Sequence, residues 1–147
     1  MPEYNLEIIG LNSQACNDEN WFLFKDTADP GQTLDWLRKE LYESEVKNEN
    51  VYILSHFPSR SFLETWSRVY SAIVEIYSHI IRGQFIGHAH GDSLQVFRDL
   101  DTGNINNAGY TPASLTTYSK RNPSFRVYHL DAEALALLTL NSTDWTS

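Results

Sequence analysis

The residues of this chain best suited to chemistry are three histidines. Gly87-His88-Ala89-His90 sets two imidazoles two residues apart. In extended chain, side chains at i and i+2 point to the same side. Neighbouring neutral imidazoles on one face are a ready chelate for a metal ion. The glycine in front of the pair permits an unusual turn or a close backbone approach. Taken alone, the tetrapeptide is equally compatible with two satisfied or exposed histidines at a strand end. His56 changes the balance. It follows the apolar run Val51-Tyr52-Ile53-Leu54, which reads as a buried strand. A helical pattern separates it from His88, so the two strands are expected side by side as a βαβ unit. Three histidines then converge on one loop face. His79 and His129 have no partner at ligand spacing and read as structural.

Other catalytic signatures are missing from the sequence. There is no Gly-x-Ser-x-Gly elbow and no Walker phosphate loop. Cys16 has no catalytic-thiol signature around it. Gly91-Asp92 and Gly103-Asn104 read as turn residues.

The elements that must position the histidines are legible in the apolar periodicity. Asn5 to Leu11 reads as an opening strand, and Cys16 to Asp29 as a loop or edge segment. Asp29, Pro30 and Gln32 form a helix start, followed by Leu34, Leu37 and Leu41 on one face. Ser61 and Glu64 suggest a second capping box. Trp66, Val69, Tyr70, Ile73, Val74, Tyr77, Ile80 and Ile81 keep helical spacing, with Gly83 as the stop. The aromatic residues of that helix read as core. Gln84 to His88, Ser93 to Arg98 and Ser124 to Leu130 read as strands, and Asp101 to Asn107 as a turn-rich connection. Ala132 to Leu140 is expected to form a short terminal helix. This order predicts an α/β sheet with antiparallel additions, and His56 and His88 fall just past strand ends, where such sheets gather functional side chains.

Bulk composition narrows the classes. The chain has 147 residues, 41% of them hydrophobic, enough for one core. No apolar stretch approaches the length of about 20 residues that a membrane-spanning helix needs. With 11 basic and 19 acidic residues, the net charge is -8, which argues against nucleic-acid binding. An anionic phosphodiester would need a local cation, such as a metal ion. The single cysteine cannot form an intrachain disulfide. Residues 1–10 show no signal-peptide pattern. Asn141-Ser142-Thr143 is a glycosylation sequon, relevant only to a secreted protein.

The motif order resembles a known family. Ser55-His56-Phe57-Pro58, Trp66 in a long helix, and Gln84-Phe85-Ile86-Gly87-His88-Ala89-His90-Gly91-Asp92 resemble the last two motif blocks of calcineurin-like phosphoesterases. Ala113-Ser114-Leu115-Thr116-Thr117-Tyr118, Asn122-Pro123 and Phe125-Arg126-Val127-Tyr128 are similar to the acid sphingomyelinase branch, as are Asp29-Pro30-Gly31-Gln32 and Trp36-Leu37. The resemblance implies an α/β fold: the C-terminal half of a metallophosphoesterase sandwich, with mixed β-sheets flanked by helices. Residues 1–131 would be the C-terminal part of the catalytic domain and 132–147 a short tail. It also implies a two-zinc phosphodiesterase that cleaves sphingomyelin at a membrane surface into ceramide and phosphocholine. His56 and His88 would serve one zinc and His90 the other, with Tyr118 near the substrate. Location would be lysosomal or extracellular.

The departures from that family carry consequences. The family's earlier motifs, which supply the bridging carboxylate, further ligands and the leaving-group histidine, do not occur here. Its catalytic residues are therefore expected upstream. Ser55 replaces the usual glycine, and Phe62 stands where the resemblance implies a cysteine partner for Cys16. Two-metal hydrolysis needs a bridging ligand between ions about 3.5–4 Å apart. The chain alone is expected to bind one zinc weakly at most and to hydrolyse little. Without its other half, inner strand surfaces would be uncovered and the chain would self-associate. Two alternatives stand beside this reading: a non-catalytic metal- or partner-binding module, and a related phosphodiesterase acting on nucleotides.

Overall fold

The computed structural model describes residues 4–99, 101–135 and 137–144. Alternating β and α elements open the chain. Strand β1 (Leu6–Leu11) is followed by helix α1 (Thr33–Val46), strand β2 (Asn50–Ser55), helix α2 (Glu64–Ile76) and strand β3 (Ile81–Ile86). Strands β4 (Ser93–Arg98), β5 (Ile105–Thr111), β6 (Ser124–Leu130) and β7 (Leu137–Asp144) complete it. Five strands form one mixed sheet in the order β1-β2-β3-β5-β4. β1, β2, β3 and β5 run parallel, and β4 is antiparallel at the edge. The expected βαβ pairing of β2 with β3 is present, so the α/β class read from the sequence is the one observed.

Alternation within the strands divides the sheet into two faces. Ile9 and Leu11 of β1, Val51 and Ile53 of β2 and Phe97 of β4 pack with Leu34, Leu37 and Leu41 of α1 and Trp66, Tyr70, Ile73 and Val74 of α2. Leu37, Leu41, Val51, Ile53, Trp66 and Val74 are fully buried. A satisfied polar chain crosses this core. The Tyr70 hydroxyl donates to Gln84 (2.6 Å), the Gln84 amide donates to Asn107 (2.8 Å), and the Asn107 amide donates to the Ile81 carbonyl (2.8 Å). Burial holds the Tyr70 phenol above its ordinary range, keeping it a neutral donor.

The structure corrects several sequence expectations. α1 begins at Thr33, and its N-cap Gln32 has φ 56°. Asp29 still serves it: the Asp29 carboxylate accepts from the Leu34 amide (2.9 Å) and the Asp35 amide (3.1 Å). α2 has Leu63 as N-cap without a side-chain hydrogen bond, so no Ser61–Glu64 box forms. Glu64 instead pairs with Arg68, one turn on. α2 ends at Ile76; Ile81 and Gly83 lie in β3. The Ile80 carbonyl accepts from Val51, so pairing with β2 outcompetes another helical turn. β5 had no sequence signal because its core-facing residues, Asn107, Gly109 and Thr111, are polar or small. The expected terminal helix over Ala132–Leu140 does not form among the described residues of that range. Residues 137–144 form β7, antiparallel to β6. A short apolar run fits either state, and an available strand edge decides it. The side chain of Asn141 lies outside the described residues.

Cys16 is buried in the main core as a free thiol. Its neighbour Asn17 makes an isolated antiparallel bridge to Phe62, and the Leu63 amide donates to the Cys16 carbonyl (3.1 Å). The two segments that the family resemblance links are therefore adjacent, and the Phe62 ring packs against Trp66 and Tyr70. No helix among the described residues is long and apolar enough to cross a membrane.

Candidate functional site

His56 and His88 meet because β2 and β3 are parallel neighbours. Ser55 registers with Ile86 at the last pair of the ladder, so each histidine sits just past its own strand. The Gly87 amide closes the ladder, donating to both the Ser55 carbonyl (3.2 Å) and the His56 carbonyl (3.0 Å). A Cβ at position 87 would lie 3.3 Å from His56 Nδ1 and 3.4 Å from its carbonyl oxygen. Glycine thus permits the close approach. The His56 and His88 ring centroids are 5.3 Å apart, with planes at 73°. Phe57 supports both rings, 4.8 Å from His56 and 4.3 Å from His88.

The loop after β3 is not extended, contrary to the expectation from the i, i+2 spacing. β3 ends at Ile86, and His88 and His90 have φ 69° and 53°. The Ala89 amide donates back to the Gly87 carbonyl (2.9 Å), a three-residue turn centred on His88. Such a turn with positive φ is rare and strained. Strain of this kind gathers at functional sites, where surrounding contacts hold it in place. His90 is directed elsewhere: its ring lies 6.0 Å from that of Tyr118, edge to face.

Two features that hold the site were invisible in the sequence. The buried Ser13 hydroxyl, in the turn after β1, accepts from the His56 amide (3.1 Å) and the Phe57 amide (2.9 Å). No motif marks an isolated serine for this task. Asp92, at the far end of the histidine loop, is ion-paired with Arg126 of β6, whose side chain is 7% exposed. Gly103 has φ 72° and closes a turn on Asp99, as its turn reading requires. His79 lies beyond α2 and pairs with Glu45 at 2.7 Å.

The donor set can be compared with what a metal needs. Two imidazoles on one tetrahedral zinc, with Zn–N near 2.0–2.1 Å, have ring centroids about 5 Å apart. The His56–His88 spacing fits that separation. Among the described residues, no group of three or more histidine, cysteine, aspartate or glutamate side chains gathers around one point. The described residues thus bring two imidazoles together there and no third donor of these types. Both rings are exposed on an open rim. A cleft of about 680 Å³ lies beside Asn12, Asn20, Trp21 and Gly31, and none of the three histidines lines it.

Comparison with known proteins bears on what this rim belongs to. No family model matches the chain. It is 38% identical over 132 residues to sphingomyelin phosphodiesterase 1 of Caenorhabditis elegans, covering 86% of this chain and 23% of that protein. It is 38% identical over 131 residues to the sphingomyelin phosphodiesterase of Bos taurus, covering 88% of this chain and 21% of that protein. A cyclic GMP-AMP phosphodiesterase of Homo sapiens is 31% identical over 150 aligned residues, covering 92% of this chain and 33% of that protein. The chain thus spans about a fifth to a third of the length of these relatives.

Proposed function

We propose, from the premise that this chain is homologous over most of its length to the sphingomyelin phosphodiesterases, that it is the C-terminal part of a zinc-dependent phosphodiester hydrolase. The substrate on this reading is sphingomyelin at a membrane surface, cleaved to ceramide and phosphocholine. One observation carries the metal assignment: the ends of two adjacent parallel strands hold His56 and His88 at a spacing suited to one zinc. His90, turned toward Tyr118, would serve the second metal position, with Tyr118 near the substrate.

Bound zinc would polarise phosphoryl oxygens and lower the pKa of an attacking water. The chain's own residues do the positioning. Ser13 fixes the His56 backbone, and Gly87 lets His56 pack onto the loop. The Asp92–Arg126 pair ties the loop to β6. Neutral imidazoles supply no negative charge to hold two dications together, and carboxylates normally do so. The remaining ligands and the catalytic groups are therefore assigned to sequence that the relatives carry outside the matched stretch. Hydrolysis by this chain alone should be near background. The intact protein would act in the lysosome or outside the cell, where the Asn141 sequon would matter.

Zinc titration calorimetry on the wild type and on a His56→Ala, His88→Ala, His90→Ala variant tests the reading. The wild type should bind zinc measurably tighter. Equal affinity would overturn the metal assignment. Turnover of sphingomyelin or a chromogenic diester that His88→Ala abolishes would overturn the expected inactivity.

A further inference from the structure

Two arginines flank the histidine loop, and they are used differently. Arg126 is committed to Asp92, with its side chain nearly buried. Arg121 is exposed, and among the described residues no carboxylate pairs with it. Its guanidinium nevertheless has a defined place. A Cβ built on Gly91 would fall 2.6 Å from Nη1, 3.4 Å from Cζ and 3.6 Å from Nη2 of Arg121. The planar group therefore lies against the backbone one residue beyond His90. The same segment touches the loop a second time, where the Tyr118 ring meets His90. Lys120, with φ 58°, turns the chain between these two contacts.

We propose that Arg121 is a phosphate-positioning residue of the histidine rim, and that glycine at position 91 is what admits its guanidinium there. The inference rests on the phosphodiester reading above. Its physical case is electrostatic and geometric. A chain of net charge -8 repels an anionic diester wherever no cation is local. Arg126 cannot help, because Asp92 already neutralises it. An uncommitted guanidinium keeps its charge and its fork of donors, which matches two phosphoryl oxygens at once. A side chain at position 91 would displace the Nη1 end of Arg121 from where it lies. Because a guanidinium needs no metal to bind phosphate, this contribution is separable from zinc.

The test uses the full chain with chelator present, titrated with phosphocholine and, in parallel, with inorganic phosphate. The arginine Nε–Hε NMR signals report which side chain responds. The Arg121 signal should shift with phosphocholine, and Arg121→Gln should weaken binding about tenfold or more, the scale of a lost charge-assisted pair. Arg121→Lys should retain part of the affinity. Gly91→Val keeps the charge but displaces the guanidinium, and should weaken binding less than Arg121→Gln does. Circular dichroism checks that each variant folds, and Gly91→Ala replaces Gly91→Val if the latter does not. Unchanged affinity in Arg121→Gln would overturn the proposal, as would the absence of phosphocholine binding in the wild type. Zinc titration of the same variants in separate, chelator-free samples keeps the two ideas apart. Loss of the zinc assignment would leave a positive phosphocholine result standing, and the reverse also holds.

Discussion

The two faces of the five-stranded sheet are made from the same strands but are covered very differently. On one face, α1 and α2 bury Ile9, Leu11, Val51, Ile53 and Phe97 in a continuous core. On the other, Ile8 is 48% exposed, Leu54 44%, Leu94 58% and Val96 38%. Among the described residues a small cluster of Leu6, Tyr52, Phe85 and Leu135 forms there, helped by the Tyr52 hydroxyl donating to the Leu135 carbonyl (2.7 Å) and by the Tyr128 ring against Phe85. Strands with apolar residues on both sides suit burial on both sides. The closed face explains how this chain folds at all. The open face fits a surface that a further layer covers, in keeping with the small share of the relatives' length that the chain spans.

The largest expected contrast between the faces is in stability. Trp66→Ala removes a fully buried ring from the closed core and should cost about 3–5 kcal/mol. Leu94→Ala on the open face should change stability by about 0.5 kcal/mol or less. Urea denaturation of both variants checks this, and similar losses would mean the open face is packed in solution.

Association is the next effect. Exposed apolar strand surface is a template for pairing, so the wild type should elute from size exclusion as a dimer or larger. Leu54→Lys with Leu94→Lys should shift it toward the monomer without loss of helical signal. A compact wild-type monomer with a sharp thermal transition would show that the face needs no cover, and the binding-module reading would then overtake the hydrolase reading.

The smallest effect reports on the closed face from within. Burial pushes the Cys16 thiol from its ordinary 9.0 up to about 12, with the Asp29 charge adding to the shift. The folded state therefore keeps its proton where the unfolded state releases it. Stability from this group is complete below pH 9 and declines as pH rises through about 12. Iodoacetamide at pH 8.5 should label Cys16 slowly in the native chain and quickly in urea. Equal rates would mean the core opens freely around it.

Much of this was determined by the sequence. Apolar periodicity marked β1, α1, β2, β4 and β6, and the His56, His88 and His90 pattern located the rim, because burial on one face imposes a repeat that survives in a linear text. Tertiary structure alone decided the rest. β5 is held by Gln84, Asn107 and a glycine rather than by apolar alternation, and β7 exists because β6 offered an edge. The i, i+2 spacing suggested one shared direction for His88 and His90, but the loop turns them toward different partners. Ser13 beneath His56 and Arg121 against Gly91 are contacts between residues far apart in the chain. Their physical basis is a hydrogen bond in one case and an absent side chain in the other, and neither leaves a periodic signal for sequence reading to find.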